Sequence, residues 1–307
     1  MGIFDEAKVK AKLLKLKMLT IPALKENLSA KEYNQYSNVV LNEIAKILKN
    51  PFHLTQMVKN DPGESLTFYR ARKSDEILNP SIYSEYSFPP VTFCKRALRA
   101  NLPLHPVFYA SNHAMTTVKE TIQNGNYKGE ILTVSRWIMK DTNTYHVAPF
   151  LFHGLSTSHP WYSRVEKIKT EGLIDGGMNP KDLNGAILML KGLANEFFND
   201  KDYRLSASIA HSYLYSNIPD FKCDLMAYPS IQNDGKSVNF AVHPNFVHDR
   251  LYIDKLYTIE LGEHNSSTGI TQIRLHSVGN PKDNHITWNN KPSDFEYNLF
   301  KERFGIT

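Results

Sequence analysis

Two prolines lead into an apolar run at "NLPLHPVFYAS", residues 101–111, and few stretches restrict a backbone more. Pro106 fixes its own φ, removes an N–H and biases His105 towards extended geometry, so Val107, Phe108 and Tyr109 read as a strand. "SNHAMTTVKETIQNG" follows at once. Ser111 or Asn112 can cap a helix, Ala114, Met115, Val118 and Ile122 form its apolar stripe, and Asn124–Gly125 ends it. A strand thus feeds directly into a helix. Arg99 and Asn101 sit on the rigid approach to it, where a proline-held loop can fix a cation in place.

Residues 1–60 read as a helical hairpin. Phe4, Ala7, Ala11, Leu14 and Met18 recur at helix spacing with Lys8, Lys12 and Lys15 on another face. A second stripe (Tyr36, Val39, Val40, Ile44, Ile47, Leu48) stops near Asn50–Pro51. The hairpin is either an amphipathic cap packed on the main domain or an arm for association. The turn cluster "NDPGES" at 60–65 marks a boundary, and one domain is expected over 61–307. Within it "LTFYRAR" alternates, placing Leu66, Phe68, Arg70 and Arg72 on one strand face; an arginine there must find an anion or reach solvent. Further strands are expected at 130–138, up to Tyr228-Pro229-Ser230, from Val238 after a turn through Asn233-Asp234-Gly235, and at 255–261. Helices are expected at 203–217 and 293–304. An insertion at about 145–200 holds the loop "HGLSTSHPWYSR" and the helical run "LNGAILMLKGLANEFF". The fold class is α+β.

Charge narrows the partners. Residues 1–60 carry ten lysines against five acidic residues, and the rest of the chain balances at 26 against 26. A neutral body argues against a broad nucleic-acid footprint. No stretch approaches the ~18–20 apolar residues of a membrane span. The start "MGIFDEAKVK" has no apolar signal core, and Glu6 stands where N-myristoylation wants Ser or Thr. Cys94 and Cys223 are far apart with no zinc or C-x-x-C spacing, so a cytoplasmic, reducing setting is expected. Phosphate-loop, dinucleotide-fold, zinc-protease and serine-hydrolase signatures are missing. His105, His113, His146 and His153 form no ligand spacing, so no metal is expected. "HGLSTSHP" offers a serine, but nothing in sequence supplies its base or oxyanion hole. Arg70, Arg99, Tyr109, Glu120 and Ser230 remain. Glu120 lies nearly opposite its helix's apolar stripe, the position of a solvated glutamate by geometry alone.

Taken together, these residues resemble the RES domain family, named for its arginine, glutamate and serine. Arg99, Asn101, Pro106 and Tyr109 fall at the spacings of the family's central block, and Glu120 follows Tyr109 at the expected interval. "FYRAR" is similar to the family's first strand, with Arg70 as its arginine. "AYPSIQNDGKSVNFAVHP" resembles its later Y-P-S segment, giving Ser230 and Asn239. The match covers roughly 66–126 and 203–261. It departs at Leu98 and around Leu104–His105, where the family has glycines, and at Ala100, where it has a large aromatic; these change the loop presenting Arg99.

The resemblance implies an ADP-ribosyltransferase-like fold, a mixed β-sheet core with flanking helices, here with an N-terminal helical extension. It implies that NAD is a substrate rather than a cofactor, and that its nicotinamide–ribose bond is broken. Glu120, Arg99 and Tyr109 would be catalytic, and Arg70, Asn101, Ser230 and Asn239 would bind substrate. Arginines grip a diphosphate, a tyrosine face stacks on nicotinamide, and a carboxylate steadies an oxocarbenium-like ribose. Many family members are bacterial toxins that deplete NAD and are restrained by an antitoxin protein; a homo-oligomer is a further possible partner. Transfer of ADP-ribose to a macromolecule and an inactive NAD- or partner-binding module are the alternatives.

Overall fold

Period-2 and period-3.6 patterns resolve, in a computed structural model, into a mixed α+β protein. It describes residues 4–49, 54–60, 66–122, 127–152, 155–157, 159, 161–175, 177–218, 222–230, 232, 237–265 and 270–306. The stops at Asn50–Pro51 and Asn124–Gly125, most of the boundary turn at 60–65, His153, and the turn Asn233-Asp234-Gly235 lie outside the described residues. In chain order the elements are α1 (Glu6–Lys17), α2 (Ala30–Leu48), β1 (Gln56–Lys59), β2 (Thr67–Lys73), β3 (Phe108–Ser111) and α3 (Ala114–Ile122). Next come β4 (Ile131–Met139), β5 (Thr144–Pro149), α4 (Tyr162–Lys167), α5 (Leu173–Asp175), α6 (Leu183–Asn199) and α7 (Arg204–Leu214). The chain continues through β6 (Leu225–Pro229), β7 (Val238–Val242), α8 (Pro244–Arg250), β8 (Leu251–Asn265), β9 (Ile270–Lys282), β10 (His285–Asn289) and α9 (Asp294–Phe304). No helix among the described residues is long and apolar enough to cross a membrane.

Two compact units divide the chain. Met1–Val58, Pro90–Val107 and Tyr145–Pro229 form the first; Lys59–Pro89, Phe108–Thr144 and Ser230–Thr307 form the second. The units therefore do not follow a single break near residue 60.

In the first unit α1 packs on α6 and α2 on α7, with β5 and β6 paired in parallel through Val147–Leu225 and Pro149–Ala227. Ser29 starts α2 with a reciprocal capping box to Glu32. Tyr33, Val40, Ile44 and Leu48 turn inward, and Ser37 Oγ donates to the Ser208 carbonyl of α7 at 3.3 Å. The burial of α1 departs from the sequence pattern. Val9 and Leu16 are buried, whereas Leu14 is 61% and Met18 76% exposed. The cause lies on α6, where Gly185 and Gly192 stand two turns apart. A Cβ on Gly185 would come within 1.6 Å of the Phe4 carbonyl oxygen, and one on Gly192 within 2.3 Å of the Leu13 side chain. This close approach selects the face that α1 buries. Phe4 N–H is tied to Asp182 Oδ1 at 3.0 Å, holding the start of α1 against the start of α6.

The second unit is an antiparallel sheet in the order β7-β3-β2-β4-β8-β9-β10. One face carries Tyr69, Ala71, Leu132, Val134, Tyr257 and Ile259 beneath Ala114 and Val118 of α3 and Phe300 and Phe304 of α9. Arg303 pins α9 to that face, donating to Tyr257 Oη at 2.6 Å and pairing with Asp254 at 3.1 Å. Alternation sends Phe68, Phe108, Trp137 and Phe240 to the other face. There Phe68 meets Phe240 and Phe108 meets Trp137, each edge-on with centroids 5.1 Å apart.

The two α6 glycines yield a prediction of unusual sign. In a helix interior Gly→Ala ordinarily gains about 1 kcal/mol, but overpacking against immovable backbone costs about 1–3 kcal/mol. Gly185→Ala, whose methyl meets a carbonyl rather than a pliable side chain, should lower the thermal midpoint. A raised midpoint would show that α1 does not sit this close to α6.

Candidate functional site

Helix α3 presents three residue pairs at i,i+4 spacing, and each pair has a different task. Ala114 and Val118 enter the core. Thr117 and Thr121 face β2: Ala71 N–H donates to Thr117 Oγ1 at 3.0 Å, and Thr121 Oγ1 donates to the Ala71 carbonyl at 3.4 Å. Thr116 and Glu120 face the β7 side: Thr116 Oγ1 donates to Ser237 Oγ at 2.8 Å, and Glu120 accepts from residues at both ends of the segment 230–239. The helix start is stitched to the same strand. Asn112 exchanges two 3.0 Å hydrogen bonds with Val238, and Ser111 Oγ donates to the Val238 carbonyl at 2.8 Å.

This stitching is possible because the sheet opens between β2 and β3. The two strands are in register at Tyr69 and Ser111, and extending that register would bring Ala71 opposite Tyr109. Instead Ala71 N–H turns to Thr117, and the Tyr109 carbonyl accepts from Arg70 Nη1 at 3.0 Å. Side chains satisfy backbone groups where the ladder parts, as buried peptide groups require.

At the β7 side, one carboxylate oxygen is gripped twice. Glu120 Oε1 accepts from Ser230 Oγ at 2.6 Å and from Asn239 Nδ2 at 2.7 Å. Ser230 is fully buried and Asn239 is 7% exposed, while Glu120 is half-buried. Ser230 is set by its own N–H, which donates to the Ser237 carbonyl at 2.9 Å. Asn239 sits in β7 opposite Ser111. Glu120 is therefore not the solvated glutamate that helix geometry alone suggests. Its Oε2 takes no hydrogen bond among the described residues. Asn239 Oδ1 is buried with no hydrogen-bond partner among the described residues. Nothing in sequence spacing joins these residues: the contacts span 110 and 119 positions.

The remaining sequence candidates fall into two places. Arg70 and Tyr109 share the second unit with Glu120. The Arg70 guanidinium lies 5.4 Å from the centre of the Phe108 ring, on the sheet face opposite Tyr69, Ala71 and α3. Arg72, on the same face as Arg70, donates to the carbonyls of Glu76 and Glu85. Arg99 and Asn101 belong to the first unit. Arg99 Nη1 donates to the Phe197 and Phe198 carbonyls at 2.6 and 2.7 Å, with its guanidinium centred 5.4 Å from the Tyr203 ring. A cation here closes the C-terminal turn of α6, where carbonyls lack helical partners and the dipole favours positive charge. Asn101 is buried and donates to the Arg96 and Leu102 carbonyls at 3.2 and 3.0 Å. Among the described residues no group of three His, Cys, Asp or Glu could hold a metal ion. No protein-family model matches the chain, and no curated protein matches it at significance.

The α6 contacts give Arg99 a testable structural role. Lysine ends one atom short of Nη1 and loses the flat guanidinium face over Tyr203, so Arg99→Lys should cost about 1.5–3 kcal/mol, the scale of hydrogen bonds to a charged group. The urea midpoint measures it. An unchanged midpoint would show that the two carbonyl contacts add nothing to the fold.

Proposed function

We propose that the protein cleaves the nicotinamide–ribose bond of NAD, with Glu120 as the residue that steadies the reacting sugar. The observation that carries this proposal is the Glu120 carboxylate, held on one oxygen by Ser230 and Asn239 and open on the other. Fixing one oxygen removes the cost of ordering the group during reaction, which is how a preorganised charge stabilises a transition state. The open oxygen accepts a ribose hydroxyl. As the C–N bond breaks, its electron pair leaves with nicotinamide and positive charge grows over the ribose carbon and ring oxygen, as in glycoside hydrolysis. The nearby carboxylate lowers the energy of that charge, and water, which gives up a proton to solvent, or a phosphate oxygen then forms the new bond to carbon.

The likeness to the RES family supports the same chemistry and an ADP-ribosyltransferase-like arrangement of the α+β core. Tyr109 would stack on the nicotinamide ring. Arg70, in the same unit, remains the proposed contact to the diphosphate, which arginine grips with charged hydrogen bonds. In a cell such an activity drains NAD, which fits a toxin held in check by a protein inhibitor.

Free nicotinamide released from NAD by the purified protein tests the proposal. Glu120→Gln keeps an acceptor for Ser230 and Asn239 while removing the charge, so it should melt within a few degrees of the parent. It should still bind NAD and release nicotinamide at least ~100-fold more slowly, the scale of one lost transition-state electrostatic contact. Expression of the parent should arrest growth and that of Glu120→Gln should not. Parental turnover by Glu120→Gln, or no nicotinamide from the parent, would overturn the proposal.

A further inference from the structure

The first unit holds a pocket of about 430 Å³ between α2 and α7, lined by residues including Asn38, Ile44, Phe150, Ile209, His211 and Asn217. Its size falls within the ordinary range for small-molecule sites. None of its described lining residues is Lys, Arg, Asp or Glu. His211 is the one titratable imidazole in that lining, and burial pushes it down to about 3, so its ring is neutral at pH 7. A diphosphate or a carboxylate would therefore enter without a counter-charge, at a large desolvation cost.

His211 is built in rather than incidental. It is 8% exposed, and its Nδ1 has no hydrogen-bond partner among the described residues. The ring is clamped: it stacks on Tyr215 at 5.2 Å with a 16° interplanar angle and meets the His105 ring edge-on at 4.5 Å. His105 is itself fixed, with Nδ1 on the Pro103 carbonyl at 2.8 Å. A neutral imidazole offers one donor and one acceptor; Nδ1 is closed off from solvent, so a ligand in the pocket pairs with the ring through Nε2. Apolar walls and a rigid uncharged polar ring together describe a ligand site.

We propose that this pocket binds an uncharged, largely apolar small molecule carrying a hydroxyl or amide that pairs with His211. The pocket shares no lining residue with the NAD proposal and does not rest on it.

Three naphthalene probes applied to the full chain separate the possibilities. They are 2-naphthol (neutral, with a hydroxyl), naphthalene (no hydroxyl) and naphthalene-2-sulfonate (charged). Methyl resonances of Ile44 and Ile209 report occupancy. 2-Naphthol should shift them saturably, naphthalene should bind ~10-fold more weakly, the scale of one neutral hydrogen bond, and the sulfonate should leave them unmoved. His211→Phe, which keeps a ring but no polar atom, should abolish the preference for 2-naphthol over naphthalene. Ala45→Trp should fill the pocket and remove 2-naphthol binding; if it does not fold, Ile218→Trp at the exposed rim should do the same. No saturable shift with 2-naphthol, equal binding of the sulfonate, or full binding by a folded tryptophan variant would overturn the proposal.

Discussion

The placement of Glu120 in the second unit depends on how α3 is held. A helix of nine residues has little stability of its own, and tertiary contacts must fix it. Here the contacts divide by face. Ala114 and Val118 bury apolar surface, Thr117 and Thr121 satisfy backbone groups of β2, and Thr116 and Glu120 reach residues 230–239. The apolar pair supplies stability, and the polar pairs supply register. A rotation of the helix by one residue would strand buried groups on both sides, and unpaired buried donors cost about 1–3 kcal/mol each. Glu120 is thus placed by several satisfied contacts rather than by its own side-chain preferences.

The same logic explains why a carboxylate is tolerated there. Buried hydroxyl and amide donors need an acceptor, and Glu120 Oε1 serves Ser230 and Asn239 together. Two donors on one oxygen leave the other free to respond to whatever enters. A structural acceptor alone could equally be glutamine.

How much of this was legible in the sequence varies with range. Local signals suffice for some elements: Pro106 and the apolar run after it mark β3, and "LNGAILMLKGLANEFF" is α6. β9 carries no clear sequence signal, because polar residues such as Gln272, Asn280 and Lys282 blur its alternation. The expected strand at 255–261 is the middle of a longer β8. In α1 the stripe of Ala7, Ala11, Leu14 and Met18 looked like the buried face. Amphipathicity could not foresee that two glycines on a distant helix would draw in Val9 and Leu16. The candidate site was legible only through the resemblance, which grouped Glu120 with Ser230 and Asn239 across more than a hundred residues. Arg99 has a partner that no sequence pattern announces: its Nη1 donates to the carbonyls at the end of α6.

The central claim is that the open oxygen of Glu120 receives a ribose of NAD. A crystal structure of the protein with carba-NAD, in which the ribose ring oxygen is a methylene and the scissile bond resists cleavage, tests it most directly. The account predicts a nicotinamide-side ribose hydroxyl about 2.5–3.0 Å from Glu120 Oε2, with Ser230 and Asn239 still on Oε1. Carba-NAD bound elsewhere on the chain, or failing to bind at saturating concentration, would contradict it.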